Sequence, residues 1–105
     1  MPFSIEFSIA ALKELKKLRK LDQVKILDGI EVHLTYEPKR VSRSRIKRLK
    51  EILQPAYRLR IDEFRVYYDV DDRSNTVIVY GVVLKEDAQA WLDSHSKRMK
   101  EEEQE

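Results

Sequence analysis

Apolar and polar residues alternate along residues 57–61 and again along 64–70, on either side of Asp62-Glu63. This period of two is typical of two half-buried β-strands joined by a tight turn. A two-residue turn predicts three pairs on the buried face: Ile61 with Phe64, Leu59 with Val66, and Tyr57 with Tyr68. The other face then pairs Arg60 with Arg65. Because like charges directly opposite destabilise a sheet, we expect solvent or a bound anion between these two guanidinium groups.

The start of the chain changes from a strand pattern to a helix pattern. Residues 3–7 alternate phenylalanine and isoleucine with polar residues, which predicts a half-buried strand. Ser8 follows as the expected N-cap of a helix from Ile9 to about Lys20. Leucines at positions 12, 15 and 18 recur at helical spacing, and lysines occupy positions 13, 16, 17 and 20. The predicted helix is therefore amphipathic and basic.

A second helix is predicted to begin at Asp22 as its N-cap and to end before Glu37-Pro38, because the residue before a proline disfavours helix. The stripe expected to face the core consists of Val24, Leu27, Ile30 and Leu34. The two helices would then form a hairpin.

The C-terminal part of the chain predicts one more strand and one more helix. The unbroken apolar run "TVIVYGVVL", residues 76–84, follows a turn at "DDRSN" and suggests a strand buried on both faces. A last helix would place Ala88, Trp91 and Leu92 on one face. We predict an α+β fold: an N-terminal strand, a helical hairpin packed on a small antiparallel sheet, and a C-terminal helix. Residues 1–92 are expected to form a single domain, and residues 93–105 a charged helical extension or frayed tail.

Composition narrows the classes of function. The 105 residues include no cysteine and two histidines, too few for a disulfide framework or a zinc cluster, so a reducing cytoplasm and no metal are expected. No stretch approaches the roughly 18 apolar residues of a spanning helix, and no charged leader precedes an apolar run, so a soluble protein without membrane contact is expected. The net charge of +2 is nearly balanced. Any acidic partner must therefore be argued from where the charges lie.

The connection between the second helix and the first meander strand concentrates positive charge. Residues 39–50, "KRVSRSRIKRLK", contain no acid. Such a run alone is usually a solvated, flexible loop. Because Arg58, Arg60 and Arg65 follow closely, loop and sheet could together form one electropositive surface for phosphates, which guanidinium groups bind through bidentate hydrogen bonds. The loop candidates for phosphate contacts are Arg43, Arg45, Lys47, Arg48 and Lys50.

The order of elements and the stretch "IKRLKEILQPAYRLRIDEFRVYYDV" resemble the RelE/ParE family of type II toxin-antitoxin toxins. The resemblance spans about residues 2 to 92. It implies a ribosome-dependent ribonuclease that cuts messenger RNA in the decoding site, and a cognate antitoxin that silences it in a hetero-oligomer. The implied reaction is transesterification by the ribose 2′-hydroxyl, which needs neither a metal nor another cofactor.

The resemblance also implies functional residues, and it makes the five loop cations named above candidates for RNA contacts. Arg58 and Arg60 match two basic positions of the first meander strand, and Arg65 matches an arginine of the second. The family often has an arginine after the last strand and a tyrosine six residues later, where this chain has Lys85 and Trp91. Lysine keeps the charge without the planar fork, and tryptophan keeps a stacking surface without a phenolic proton.

Two aromatic side chains complete the predicted site. Tyr67 alternates onto the face of the arginines and could stack on a base, and Trp91 offers either such a surface or an anchor for the last helix. His33 and His95 do not resemble general bases, since one lies within a predicted helix and the other in the tail. Three functions stay open: a ribosome-dependent endonuclease, a ParE-like toxin that binds DNA gyrase, and an inactive RNA-binding or antitoxin-binding relative.

Overall fold

The computed structural model describes residues 1–98 and confirms the α+β class. Two helices follow the first strand, and a third follows a 3-10 turn at Lys85–Asp87. The strands are β1 (Ser4–Phe7), β2 (Ile46–Arg48), β3 (Ile52–Gln54), β4 (Tyr57–Ile61), β5 (Phe64–Asp71), β6 (Thr76–Leu84) and β7 (Lys97–Arg98). The helices are α1 (Ile9–Lys16), α2 (Lys20–Leu34) and α3 (Ala88–His95).

Five strands form one mixed sheet in the order β1-β6-β5-β4-β2. Only β1 runs parallel to its neighbour β6 within this sheet, so the expected antiparallel sheet holds for the other four strands. The predicted register of the β4–β5 hairpin is confirmed, including Arg60 opposite Arg65. Its turn places Asp62 at a φ of 51°, a left-handed conformation that aspartate tolerates better than most residues.

The basic connection, which the sequence analysis treated as a loop, contains strand β2, and strand β3 follows it. Its residues 46–48 form β2, which pairs with β4 as the edge strand of the sheet. Residues 52–54 form β3, which pairs with β7 in a separate two-stranded sheet. The C-terminal segment is therefore paired with β3 as far as residue 98, and the remainder of the predicted tail, residues 99–105, lies outside the described residues.

The helix boundaries partly follow the sequence. Ser8 caps α1 as predicted, since its Oγ accepts a hydrogen bond from the Ala11 N–H at 3.0 Å. Asp22 does not cap α2, which begins two residues earlier at Lys20. The Asp22 carboxylate instead lies buried in the first turn and accepts a hydrogen bond from Arg19 Nε at 3.1 Å. A carboxylate there is also favoured by the helix dipole.

The stripe of α2 that meets the sheet differs from the predicted one. Ile26, Ile30 and Leu34 are buried, whereas Val24 and Leu27 point outward and are 49% and 42% exposed. The predictions for Val24 and Leu27 were therefore wrong. Those for Ile30 and Leu34 are confirmed.

Both faces of the sheet are covered. The larger core joins α1 and α2 to one face and includes Leu59, Val66 and Tyr68 of the hairpin. A smaller core lies on the other face, where Tyr67, Trp91, Leu92 and Ile52 pack together. Strand β6 is largely buried between the two, as its apolar run predicted. Among residues 1–98, the structure has no helix both long and apolar enough to cross a bilayer.

Candidate anion-binding site

Two rows of side chains cross strands β2, β4 and β5 on the face that carries α3. Directly paired residues of antiparallel strands point to the same face. The Arg60 N–H donates to the Arg45 carbonyl at 2.9 Å, so the pairing of β2 with β4 continues to Arg45. The first row is Arg45, Arg60 and Arg65, and the second is Lys47, Arg58 and Tyr67. We call the five cations of these rows, Arg45, Lys47, Arg58, Arg60 and Arg65, the basic face.

Arg65 is the most enclosed cation of the basic face, at 7% exposure. Its Nη1 donates to the carbonyls of Asp62 and Phe64, both at 2.9 Å, so backbone oxygens hold the group in place. Burial lowers the pKa of Arg65, and the charges of Arg58 and Arg60 lower it further. Within residues 1–98, no carboxylate forms an ion pair with any cation of the basic face. The arrangement leaves positive charge that an anion would stabilise.

The neighbouring guanidinium groups have free donors in the described part of the chain. The Nε of Arg58 is buried and has no hydrogen-bond partner there. Arg60 is exposed and lines a polar recess of 280 Å³ together with Ser44, Arg45 and Asp62. Asp62 thus brings one carboxylate to the edge of the basic face. Its Oδ2 lies 3.4 Å from Lys25 Nζ, on the far side of the hairpin turn.

A turn before β2 holds the recess in shape. Ser42 Oγ accepts hydrogen bonds from the N–H groups of Arg45 and Ile46 at 3.0 and 3.2 Å. The Ser42 N–H in return donates to the Ile46 carbonyl at 3.0 Å. Sequence analysis missed Ser42, Ser44 and Asp62 as parts of this site. The serines that alternate with arginines in "SRSR" were an available signal, because serine hydroxyls commonly stabilise turns.

Three of the five loop cations predicted to contact RNA lie outside the basic face, so the five do not form one surface. Arg48 points to the opposite face, where its guanidinium carbon lies 5.3 Å from the centre of the Tyr57 ring. Its Nη1 donates to the Leu49 and Ala56 carbonyls. Arg43 and Lys50 lie in exposed turns outside the two rows. Only Arg45 and Lys47 of the five loop candidates join Arg58, Arg60 and Arg65.

Tyr67 and Trp91 form a closed stack. They are 2% and 6% exposed, and their ring centroids lie 4.9 Å apart. His95 covers the other face of Trp91 at 4.7 Å. As folded, neither Tyr67 nor Trp91 offers a free face to a base, which corrects the stacking prediction. The alternative prediction, that Trp91 anchors the last helix to the sheet, describes the observed packing.

Lys85 lies beside the hairpin turn, at the start of the 3-10 turn that follows β6. Its N–H donates to the Glu63 carbonyl at 2.7 Å, and Val83, two residues earlier, pairs with Arg65. Among the described residues, no hydrogen bond or ion pair joins its side chain to the basic face. Lys85 is therefore near the first row without a fixed contact to it.

Neither histidine belongs to the basic face, although His33 borders it. His33 and Arg45 line a common cavity of 330 Å³, and burial lowers the pKa of His33, with a smaller contribution from the Arg45 charge. His95 ends α3, where its Nδ1 lies 3.0 Å from the Trp91 carbonyl oxygen. Within residues 1–98, no group of three or more histidine, aspartate or glutamate side chains is placed to hold a metal ion.

Comparison with known proteins gives consistent matches. A family model described as the ParE toxin of the type II toxin-antitoxin system parDE matches residues 5–94. The toxin-antitoxin complex RelBE2 from Mycobacterium tuberculosis aligns with a TM-score of 0.68 and 26% identity, covering 80% of this chain and 99% of that one. No curated protein sequence matches the chain.

Two further structures show the same fold at lower identity. A chain of the RelB-RelE complex from Methanococcus jannaschii aligns with a TM-score of 0.60 and 20% identity, covering 82% of this chain and 96% of that one. The isolated RelE toxin of E. coli aligns with a TM-score of 0.57 and 20% identity, covering 89% of this chain and 99% of that one. These two likenesses concern the fold alone.

Proposed function

Since this chain belongs to the RelE/ParE family of type II toxin-antitoxin toxins, we propose that it is an mRNA endonuclease that acts on the ribosome. We assign the activity to a toxin domain of residues 1–92 in the cytoplasm, where ribosomes carry the substrate. The observation that supports this proposal is the basic face: five cations without a carboxylate ion-pair partner in residues 1–98.

The proposed reaction is attack of the ribose 2′-hydroxyl on the adjacent phosphate. A bond forms between the 2′-oxygen and phosphorus, the bond from phosphorus to the 5′-oxygen breaks, and a 2′,3′-cyclic phosphate remains. The 2′-hydroxyl loses its proton, and the leaving 5′-oxygen gains one. Negative charge grows on the phosphorane oxygens, which the basic face would stabilise without reorganising, because Arg65 is already held by two carbonyls. The ribosome would supply the orientation of the strand.

A cognate antitoxin is the second proposed partner. The structural relatives from M. tuberculosis and M. jannaschii are toxin-antitoxin complexes. An antitoxin that placed acidic residues on the basic face would relieve the repulsion between Arg60 and Arg65 and would block RNA from the same cations. Silencing and catalysis would then share residues in a hetero-oligomer.

Primer extension on a messenger RNA, with and without ribosomes, tests the endonuclease proposal. We expect cleavage only with ribosomes and a loss of at least about 10²-fold for Arg60→Gln and for Arg58→Gln, since each removes a positive charge of the basic face. Arg48→Gln is the matched control, because Arg48 points to the opposite face, and it should stay within about threefold of the wild type. Absence of cleavage on ribosomes by the folded wild-type chain would reject the proposal.

Two roles are considered for Lys85: a cation that stays protonated throughout the reaction, or a proton acceptor for the 2′-hydroxyl. We favour the cation, because Trp91 is buried and brings no acid to the site. Arginine keeps the charge but does not release a proton, so Lys85→Arg should retain most ribosome-dependent cleavage and Lys85→Gln should lose most of it. Single-turnover rates on programmed ribosomes measure this. A collapse of about 10²-fold for Lys85→Arg with folding intact would make the lysine a proton acceptor instead.

A gyrase-binding toxin without ribonuclease activity is the second candidate. The matching family model is that of the ParE toxin, and the aromatic residue at position 91 is a buried tryptophan, which has no phenol to bring to the basic face. Inhibition of DNA supercoiling by purified gyrase, together with no RNA cleavage on ribosomes, would favour this candidate over the endonuclease.

A further inference from the structure

The outward face of α2 carries a stripe that the described part of the chain leaves uncovered. Lys20, Val24, Leu27 and Glu31 follow one another at spacings of four, three and four residues, which places them on one side of the helix. All four side chains are exposed. Leu21, beside the stripe, is 70% exposed. Apolar residues in the middle of an outward helix face are the reverse of ordinary surface patterning and indicate a partner.

The two ends of this stripe carry opposite charges. Lys20 lies at the N-terminal end and Glu31 near the C-terminal end, and neither forms an ion pair within residues 1–98. The order along the stripe is therefore positive, apolar, apolar, negative. A second copy of the stripe, running in the opposite direction, therefore places negative opposite positive and apolar opposite apolar.

We propose that α2 pairs with α2 of a second copy in an antiparallel, two-fold symmetric dimer. In this register Lys20 lies opposite Glu31 of the second copy, and Val24 lies opposite its Leu27. Two-fold symmetry repeats each contact, so the interface contains two Lys20–Glu31 pairs and two Val24–Leu27 pairs. The seam lies on the side of the sheet opposite the basic face, so dimerisation leaves the basic face open to RNA.

The size of the contact sets its strength. The stripe spans 11 residue steps, from Lys20 to Glu31, or about 16 Å at 1.5 Å per residue. A helix pair of this length buries less surface than the roughly 1,200 Å² at the lower end of stable interfaces, so association is weak. We expect a dimer at about 100 µM chain and a monomer at about 1 µM.

Sedimentation equilibrium on the full chain tests the charged ends. Lys20→Glu and Glu31→Lys each replace two attractions by two repulsions and should weaken dimerisation at least about tenfold. The double variant restores the complementarity in reversed order and should return to within about threefold of the wild type. Lys13→Glu is the matched control, since it makes the same charge change at an exposed position of α1.

Introduced cysteines test the register, because the chain contains none. A mixture of the Val24→Cys and Leu27→Cys chains should cross-link rapidly on oxidation, whereas Val24→Cys alone should cross-link slowly. A parallel pair would reverse this preference, because a disulfide requires Cα atoms within about 7 Å. Such a reversal would overturn the proposed register.

Two further outcomes would overturn the dimer itself. The first combines two results: the wild-type chain is monomeric at about 100 µM, and Val24→Asp abolishes antitoxin binding. Together they would assign the stripe to the antitoxin. The other is a double charge variant no tighter than either single variant. Recovery in the double variant, with the mixed cross-link, would establish the pair.

Discussion

At the scale of single residues, Asp69 shows how the sheet encloses a charge. Its Oδ1 accepts a hydrogen bond from the Ala56 N–H at 2.6 Å, which ties β5 to the segment between β3 and β4. Burial raises the pKa of this carboxyl, although hydrogen bonds from Ala56 and Gln54 and the charge of Arg48 act in the opposite direction. The carboxylate is therefore less favourable in the folded state than in water.

This shift predicts a pH dependence of stability. A carboxyl whose pKa is higher in the folded state binds its proton more tightly there, so stability should fall as pH rises from 3.8, the ordinary value, through the raised folded pKa. Above that pKa the contribution is constant. Asp69→Asn keeps an oxygen that can accept from the Ala56 N–H but cannot titrate, so it should lack this fall. Urea unfolding from about pH 3.5 to 7 measures both chains.

The difference in the pH dependence of stability between the wild type and Asp69→Asn isolates the contribution of Asp69 from those of the other carboxyls. Asp71 shifts in the opposite direction, since hydrogen bonds from Ser74 lower its pKa, and its effect is common to both chains. An identical pH profile for the wild type and Asp69→Asn would contradict the prediction.

At the scale of elements, α3 docks on the sheet through Trp91 and Leu92, and Trp91 packs directly on a strand. A Cβ at position 81 would lie 2.3 Å from Trp91 Cζ2, so glycine allows the indole to rest on the backbone of β6. The Trp91 ring is held between Tyr67 and His95 and has little room to move. We expect Gly81→Ala to destabilise the fold by about 2 kcal/mol through overpacking.

Gly29→Ala is the matched control for this prediction. A Cβ there would lie 2.7 Å from Ile61 Cδ1, the flexible end of a side chain, and alanine within a helix gains about 1 kcal/mol over glycine. We therefore expect a smaller loss than for Gly81→Ala in denaturant unfolding. A loss for Gly81→Ala no larger than that for Gly29→Ala would contradict the close packing of Trp91 on β6.

At the scale of the whole molecule, the basic residues divide between two faces of the sheet. Replacing Arg45 and Lys47 by glutamine should reduce the salt slope of RNA binding by about 1.4, since each phosphate contact to a single strand contributes about 0.7. The control replaces Arg40 and Arg48, which removes the same charge from positions outside the basic face. Arg40 bonds Glu37 at 2.8 Å, and Arg48 lies over Tyr57, so the control slope should stay unchanged. Equal slopes for both variants would show that only net charge matters.

The local alternation of residues 57–70 was sufficient to predict the β4–β5 hairpin and the Arg60–Arg65 pair. The reason is geometric, because a two-residue turn sets the register and a period of two then assigns every side chain to a face. The cap at Ser8 was equally local, since it needs only the N–H groups of the next turn. These parts of the fold and of the basic face are encoded in short segments.

Contacts between different elements decided the rest. Strand β2 is short and basic, with no apolar alternation of its own, and it becomes a strand only because β4 offers backbone partners. Helix α2 has apolar residues on more than one side, and the close approach of Gly29 to Ile61 selects the stripe that meets the sheet. Trp91 is enclosed because Gly81, in strand β6, leaves room for its ring. Each of these outcomes depends on contacts between different elements, so the pattern within one element does not predict it.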